Sequence, residues 1–363
     1  MKIGIVTITE LSNFGNRLQN YALQTILESM GNTVETIPNY IIYGDMRKPV
    51  WKGKQFIKGC LKIVLQKDYR TLAELKKMKP FDDFDAAYIH KAANYESTID
   101  FITPNMNENY DRFVAGSDQI WNPYFTFNFD FEFLKFADKE KRIAYAASFG
   151  VEQIPDTKKK YFQTALKEMH AISVREHAGK RIVSQLTGRE VPVVLDPTLL
   201  LTKADWMKIE KKPTWKDNRP FLLFYFLGNV EEKKRMMRKI ETEHPEYAEC
   251  SVIDIHNPAD LKRYCIGPCE FIWLIHHAKL MVTDSFHGSV FSILMETPFI
   301  SVKRKDNNVS MNSRIESLFY LLELSHTEDI IIDHIIRRQE LNKKLERCRE
   351  ESKNYLRNAL RGN

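Results

Sequence analysis

A chain of 363 residues, 43% hydrophobic and 28% charged, exceeds the size at which one core usually keeps growing and is too apolar to be dominated by disorder. No apolar run approaches bilayer length, and the opening MKIGIVTITE lacks the n-region, h-region and cleavage site of a secretory leader, so a cytoplasmic chain is expected. Five scattered cysteines argue against a disulfide framework, and a net charge of +6 without a recognised reader motif argues against nucleic acid.

Lys2 to Ile8 reads as a buried parallel strand and Asn16 to Met30 as a helix with Leu18, Tyr21, Ala22 and Ile26 near one face, stopped by Gly31. The loop between them holds Asn13, Phe14, Gly15 and Asn16, with Gln19 one turn on. No second glycine follows at the dinucleotide spacing, so that fingerprint is absent. After a strand at Val34 to Ile37 comes a basic insert. From Ile41 to Pro80 eleven Lys or Arg stand against Asp45, Asp68 and Glu74, a local excess of about 8 that leaves the rest of the chain near neutral. Trp51, Phe56, Ile57, Leu61, Ile63, Val64 and Leu65 are interspersed among these charges. The pattern suits a basic amphipathic helix on an anionic membrane surface; a solvated insert packed on its own domain is the simpler reading. Phe81-Asp82-Asp83-Phe84-Asp85 holds a nominal Asp-x-Asp for a divalent ion, but reads better as a helix start with the two Phe facing inward.

Arg112 to Ala115 is a strand opening into Gly116, Ser117, Asp118, Gln119 and Trp121, the mixture of polar groups and indole that a sugar ring would use; a turn with Trp121 in the core is the alternative. Arg142 to Ala147 ends at Ser148 and Phe149, a second such edge. A helix over Asp156 to His170, a strand over Ala171 to Arg175 and a helix from Glu176 to Leu186 follow. Arg175 either projects into the crevice or pairs with Glu176 or Asp196, and both readings stand. Val191 to Leu195 leads to Asp196-Pro197-Thr198, and the charged Lys203 to Pro220 has the composition of a linker.

A second series of strands and helices runs through Phe221 to Leu227, Glu231 to Glu243, Ser251 to Ile255 and Pro268 to Ala278. Cys265 and Cys269 with His276 and His277 invite a metal, but the spacing is poor for structural zinc and no second Cys pair exists. The densest stretch comes next. Leu280, Met281 and Val282 form a strand, Thr283, Asp284 and Ser285 are polar and able to cap, Phe286 to Glu296 winds as a helix, and Pro298 to Val302 is another strand. In open α/β sheets such a turn gathers ligands, and amides at the helix start favour anions. His287 sits there, Gly288 permits close approach, and Lys303 and Arg304 close the next strand at the same edge. Arg314 to Leu322 and a charged helix from about His334 to Leu360 complete the chain. The alternation predicts an α/β protein with two Rossmann-like domains facing across a cleft, the last helix crossing back to the first domain.

The Thr-Asp-Ser-x-His-Gly run resembles the signature of the polysaccharide pyruvyl transferase family. Also similar are GIVTITELSNFGNRLQNYALQ from Gly4, FVAGSDQIWNP from Phe113, YAASFG from Tyr145, ISVRE from Ile172, VLDPTLLL from Val194 and NSRIESL from Asn312, in the expected order. The resemblance implies a GT-B-like pair of domains: residues 1–202 on the acceptor side with the insert at about 41–80, 203–333 holding phosphoenolpyruvate, and 334–363 as the final helix. It further implies transfer of pyruvate from phosphoenolpyruvate to a sugar diol of a cell-surface polysaccharide or its precursor, a lipid-linked one included, giving a ketal and phosphate with no cofactor or metal. His287 would be the general acid and Asp284 its orienting group or a proton acceptor. Arg175, Ser285, Gly288, Lys303, Arg304 and Arg314 would hold phosphoenolpyruvate. Asn13, Phe14, Gly15, Asn16, Gln19, Gly116, Ser117, Asp118, Gln119, Trp121, Ser148 and Phe149 would face the acceptor.

Some relatives place an Arg two residues before the His and a Lys well after the next strand. Here Ser285 and the cluster Lys303, Arg304 and Lys305 stand instead, so the cations for carboxylate and for phosphate are not distinguished. A nucleotide-sugar glycosyltransferase and a non-catalytic glycan-binding or assembly protein are the other classes this architecture serves.

Overall fold

The computed structural model describes residues 1–9, 12–37, 49–66, 68–92, 106–125, 129–228, 230–304, 313–324, 331–332 and 338–362. Lys305, Asn312, the first part of the basic insert and the expected start of the last helix lie outside them.

The first sheet is built from β1 (Lys2–Val6), β2 (Thr33–Thr36), β3 (Arg112–Ala115), β4 (Arg142–Ala147) and β5 (Ala171–Val174), all parallel, in the order β2-β1-β3-β4-β5. The short apolar runs behave as expected for strands covered on both faces, and every residue of β4 is buried. Helix α1 (Phe14–Ser29) follows β1. A helical hairpin of α2 (Pro49–Gln66) and α3 (Arg70–Tyr88) precedes β3. Helices α4 (Asp156–Lys167) and α5 (His177–Thr187) flank β5, and Gly188 terminates α5 in the left-handed region at φ 72°.

The second sheet comprises β6 (Phe221–Tyr225), β7 (Ser251–Asp254), β8 (Leu280–Thr283) and β9 (Phe299–Ser301), parallel in the order β7-β6-β8-β9. Around it lie α8 (Val230–Glu243), α9 (Pro268–His277), α10 (Phe286–Met295) and α11 (Ser313–Leu321). Two Rossmann-like α/β domains in a GT-B-like pairing are therefore present, as the alternation predicts.

Two stretches differ from the sequence reading. The segment read as a linker contains α7 (Lys203–Met207), capped reciprocally by Thr202 and Asp205, just after α6 (Pro197–Leu200). Trp206 of α7 is fully buried, 5.6 Å from the Tyr21 ring and 4.9 Å from the Phe291 ring, so the connection is a packed seam between domains. Phe81 to Asp85 lies in the second half of α3, not at a helix start; Phe81 and Phe84 do face inward. Asp85 is engaged by Arg17 at 2.7 Å and Lys91 at 2.8 Å, which leaves the Asp-x-Asp pattern serving the fold.

The last helix, α12 (Arg338–Arg361), returns to the first domain. Arg349 donates from Nε to the Leu199 carbonyl at 2.7 Å and from Nη2 to the Leu201 carbonyl at 3.1 Å. Tyr355 donates to the Ala144 carbonyl at 2.9 Å, and Ser352 Oγ accepts from the Leu195 amide at 3.1 Å. Phe14 at the start of α1 stacks on Phe271 of α9 at 4.3 Å and lies edge-on to Tyr225 of β6 at 5.7 Å. One apolar cluster thus runs through both domains and fixes the cleft between them.

Candidate active site in the cleft

The carboxyl edges of the two sheets enclose a cavity of about 150 Å³. The first domain lines it with Ile8, Asn13, Gly15, Asn16, Asp118, Gln119 and Phe125. The second supplies Tyr225, Leu227, Ser285, Phe286, His287, Arg304 and Arg314. A larger cavity of about 680 Å³, also lined by Leu227, extends between α3 and the start of α8.

Two helices from opposite domains begin at the smaller cavity. Asn13 caps α1, its Oδ1 accepting from the Asn16 amide at 3.2 Å, and Ser285 caps α10, its Oγ accepting from the Gly288 amide at 3.3 Å. First-turn amides of a helix have no intrahelical partner, and the aligned peptide dipoles make such an end attractive to anions.

His287 stands at the second position of α10, buried, with its ring against the backbone of Gly15. A Cβ added at Gly15 would lie 2.0 Å from His287 Nδ1 and 2.4 Å from Cε1, so only glycine admits the imidazole here. Its Nε2 has no hydrogen-bond partner among the described residues, and Asp196 Oδ2 is 3.9 Å away. Burial lowers the His287 pKa; Asp196 and Asp118 oppose that shift, and Arg175 and Arg314 reinforce it. The net direction is downward from 6.5, which favours the neutral imidazole at neutral pH.

Asp196 sits beneath this ring. Its Oδ1 accepts from the Thr198 amide at 3.0 Å and from Thr198 Oγ1 at 2.6 Å, while Oδ2 accepts from Ser117 Oγ at 2.7 Å and Arg175 Nη1 at 2.6 Å. Burial alone would raise its carboxyl, but Arg175 and then His287 outweigh it and hold the pKa at about 2. Asp118 follows the same logic. Burial pushes it up, yet Arg175 at 3.3 Å, His287 and Arg314 hold it below the ordinary carboxylate value. Asp118 also adopts φ 65°, a left-handed conformation that costs a non-glycine residue about 1 kcal/mol or more. Such strain persists where surrounding bonds impose it, and here it aims the carboxylate at the cations.

Arg314, in the first turn of α11, is buried with Asp118 Oδ1 3.8 Å away. With its amide oxygen facing Arg314, Gln119 accepts from both terminal nitrogens at 3.0 and 2.7 Å. Burial first, then the neighbouring Arg175, pull the Arg314 pKa down to about 10. A guanidinium so depressed is short of counter-charge, and an anion in the cavity would supply it. Arg304 approaches Asp284 at 3.6 Å and also lines the cavity.

The placement revises several roles expected from sequence. Asp284 does not orient His287: its oxygens accept from the Leu227 amide at 2.7 Å and the Gly228 amide at 2.8 Å, tying the loop after β6 to the start of α10. The carboxylate beside the imidazole is Asp196, a residue sequence reasoning considered only as an ion-pair partner. Arg175 resolves to the pairing alternative, with Asp196 rather than Glu176. It lies 4.3 Å beneath the Phe286 ring and holds the cavity floor without lining it. Lys303 turns to Glu316 at 3.7 Å, outside the lining. Gly288 serves backbone approach: a Cβ there would meet Thr283 Oγ1 at 2.5 Å, so its absence seats α10 on β8.

On the acceptor side, Asn13, Gly15, Asn16, Asp118 and Gln119 reach the cavity, but the rest pack behind it. Phe14 is part of the interdomain aromatic stack. Gln19 donates to Thr7 Oγ1 at 2.7 Å, Gly116 abuts Thr7, and Ser117 serves Asp196. Trp121 is fully buried, stacked on Phe133 at 4.8 Å with its Nε1 donating to the Glu132 carbonyl at 3.4 Å, so the core alternative holds for it. Ser148 and Phe149 are equally buried; the Ser148 carbonyl accepts from the Trp121 amide and the Phe149 amide donates to Glu176. Unanticipated lining residues are Ile8, Phe125, Tyr225, Leu227 and Phe286, apolar bodies that gave no chemical signal. Of the questioned metal set, Cys265 donates to the Ala73 carbonyl at 3.7 Å, and His276 meets Glu210 at 2.8 Å. His276, His277 and Glu210 do converge, without either cysteine. No helix among the described residues is long and apolar enough to cross a membrane.

Solved structures of similar shape include UDP-GlcNAc 2-epimerase from Neisseria meningitidis bound to UDP-GlcNAc, at 9% identity and a TM-score of 0.45 over 99% of this chain and 94% of that one. The Methanocaldococcus jannaschii UDP-GlcNAc 2-epimerase with UDP-GlcNAc and UDP gives 13% and 0.44 over 96% and 92%. Arabidopsis thaliana UGT89C1 complexed with UDP-L-rhamnose gives 12% and 0.42 over 97% and 93%. Likeness at this level says nothing of substrate. No curated protein matches significantly in sequence. The model of the polysaccharide pyruvyl transferase family matches residues 13–306, a span that contains both helix starts, the Asp118 loop, Asp196 and His287, and by that match the chain belongs to the polysaccharide pyruvyl transferase family.

Proposed function

We propose that this chain transfers the pyruvyl group of phosphoenolpyruvate to two hydroxyls of a sugar, forming a cyclic ketal and releasing phosphate. The observation that supports the reading most directly is the convergence on one small cavity of a buried imidazole, two guanidinium groups and two helix N-termini. A small molecule with a carboxylate and a phosphate suits that set, because each anionic end finds a guanidinium or a helix start.

Protonation of the enol methylene turns it into a methyl group and leaves an oxocarbenium-like carbon. One sugar hydroxyl adds to that carbon and passes its proton to the imidazole that the first step left neutral. The second hydroxyl then displaces phosphate: its oxygen bonds to the carbon, the carbon–oxygen bond to phosphate breaks, and its proton leaves on the departing phosphate as the ketal closes. His287 is the proton donor in this scheme. Burial and the neighbouring guanidinium groups lower its pKa; a dianion bound beside it favours the imidazolium, so substrate binding charges the acid that the reaction needs. Asp196 positions and supports that imidazolium. Arg314 and Arg304 stabilise the departing phosphate. The scheme uses no metal and no cofactor, and the 680 Å³ cavity, which shares Leu227 as a lining residue, offers the acceptor a way in.

Phosphate release from phosphoenolpyruvate, assayed against free, nucleotide-linked and lipid-linked sugars, tests the reading. Acceptor-dependent phosphate release with a ketal product supports it. Nucleotide release from a sugar donor would replace it with the glycosyltransferase, and sugar binding without turnover by a fully folded chain would leave a binding or assembly protein.

A further inference from the structure

The hairpin formed by α2 and α3 holds a surface that the cavity chemistry does not use. Gly59 seats α2 on α3; a Cβ there would stand 3.3 Å from the Leu72 amide nitrogen. Away from that contact Phe56, Ile57, Leu61, Val64 and Leu65 are exposed by 53, 63, 56, 80 and 76%. At the helical advance of about 100° per residue these five share one half of the circumference. Lys54 and Lys58 lie along one edge of the stripe and face solvent, while Lys52 and Lys62 reach Asp82 and Asp68. A contiguous apolar face of this kind on a helix within a strongly basic segment needs an occupant.

We propose that α2 lies flat on an anionic lipid surface, with the apolar stripe at the acyl boundary and the lysines among lipid phosphates. Charge complementarity selects this occupant. A second copy applied to the same face would bring together two helices that each carry Lys52, Lys54, Lys58 and Lys62 and no acidic residue, whereas an anionic bilayer neutralises them. A soluble polyanion matches the lysines but offers the stripe no hydrocarbon. Arg70 and Glu74 of α3 wall the 680 Å³ cavity, so a docked chain holds that cavity close to molecules anchored in the same surface. The preference for a lipid-linked acceptor rests on the pyruvyl-transfer reading; the docking does not.

Co-sedimentation of the full chain with vesicles tests the docking, using phosphatidylcholine alone and phosphatidylcholine with about 30% phosphatidylglycerol. The chain pellets with the anionic vesicles and much less with the neutral ones, and the bound fraction falls as salt rises from about 0.05 to 0.5 M. The Val64→Glu/Leu65→Glu double variant binds at least about tenfold more weakly, as does Lys54→Glu/Lys58→Glu, with unchanged thermal melts. Failure to pellet, equal binding to neutral vesicles, or an apolar-to-acid variant that instead dissolves an oligomer seen by light scattering overturns the proposal. Phosphate release with a water-soluble acceptor stays at the parent level in Val64→Glu/Leu65→Glu. Loss of docking therefore reads separately from loss of transfer.

Discussion

Replacing Gly15 by Ala isolates the position of the imidazole from its chemistry. The added methyl would stand 2.0 Å from His287 Nδ1, and ordinary contact requires about 3.4 Å, so ring and helix must part by roughly 1.4 Å. The ring has little room to retreat, with Phe286 at 5.1 Å, Asp196 at 3.9 Å and almost no exposure. Overpacking of this kind costs about 1–3 kcal/mol, while Ala in place of Gly inside α1 regains up to about 1 kcal/mol. The folded state therefore survives, but a reacting group displaced by about 1 Å loses on the order of a hundredfold in rate. Acceptor-dependent phosphate release should fall by that factor while the melting temperature moves by a few degrees. Gly53→Ala, where an added Cβ meets nothing within 4 Å, is the control and keeps full turnover with a soluble acceptor. Near-normal turnover in Gly15→Ala, within about threefold of the parent, would refute the placement of the proton donor at this contact.

His287→Gln should lower turnover by about 10²–10⁴-fold with the fold intact, and a loss under tenfold, read by phosphate release, removes it as the acid. Arg314→Ala should weaken phosphoenolpyruvate binding by roughly 10- to 100-fold in calorimetry, as the loss of a charge-assisted partner implies; unchanged affinity strikes Arg314 from the anion site. Because burial and Arg175 and Arg314 lower the His287 pKa, phosphoenolpyruvate binding should take up a proton near pH 7 and tighten as pH falls from about 8 to 6; calorimetry in buffers of different ionisation enthalpy should show uptake that His287→Gln loses. The same depression means the unfolded chain binds the proton more readily, so His287 costs stability as pH falls through 6.5, and melts of His287→Gln should decline less steeply on that side. Asp196→Asn, which leaves the buried Arg175 without its nearest counter-charge, should destabilise by about 3–5 kcal/mol in denaturant melts, and a change under about 1 kcal/mol would deny it that role.

Much of the architecture was legible because parallel strands covered on both faces must be short and apolar. The runs at Arg112 to Ala115 and Arg142 to Ala147 are such strands, with those bounds. The turn after β8 was legible for a similar local reason: a cap-competent Ser285, a His and a Gly at a helix start can be read without knowing the fold. The acceptor side was harder. Phe14, Trp121 and Phe149 look like sugar platforms in a loop rich in polar groups, but an aromatic ring goes wherever distant elements leave a space, and here those spaces belong to α9, Phe133 and α4. Asp82 and Asp83 likewise took their meaning from a helix whose start lay a dozen residues earlier.

By itself the sequence determined the two-domain α/β pattern, the family, the helix start that bears His287 and the basic amphipathic character of the insert, because periodicity, caps and charge are local properties of the chain. Only the tertiary structure decided that Asp196 rather than Asp284 attends the imidazole, that Arg175 is consumed in a buried ion pair while Arg314 is left short of counter-charge, and that Gly15 from the other domain touches the ring. The physical reason is that the charge state and freedom of a side chain depend on its neighbours within a few ångströms, and in this cleft those neighbours come from segments separated by as many as 272 residues, the interval between Gly15 and His287.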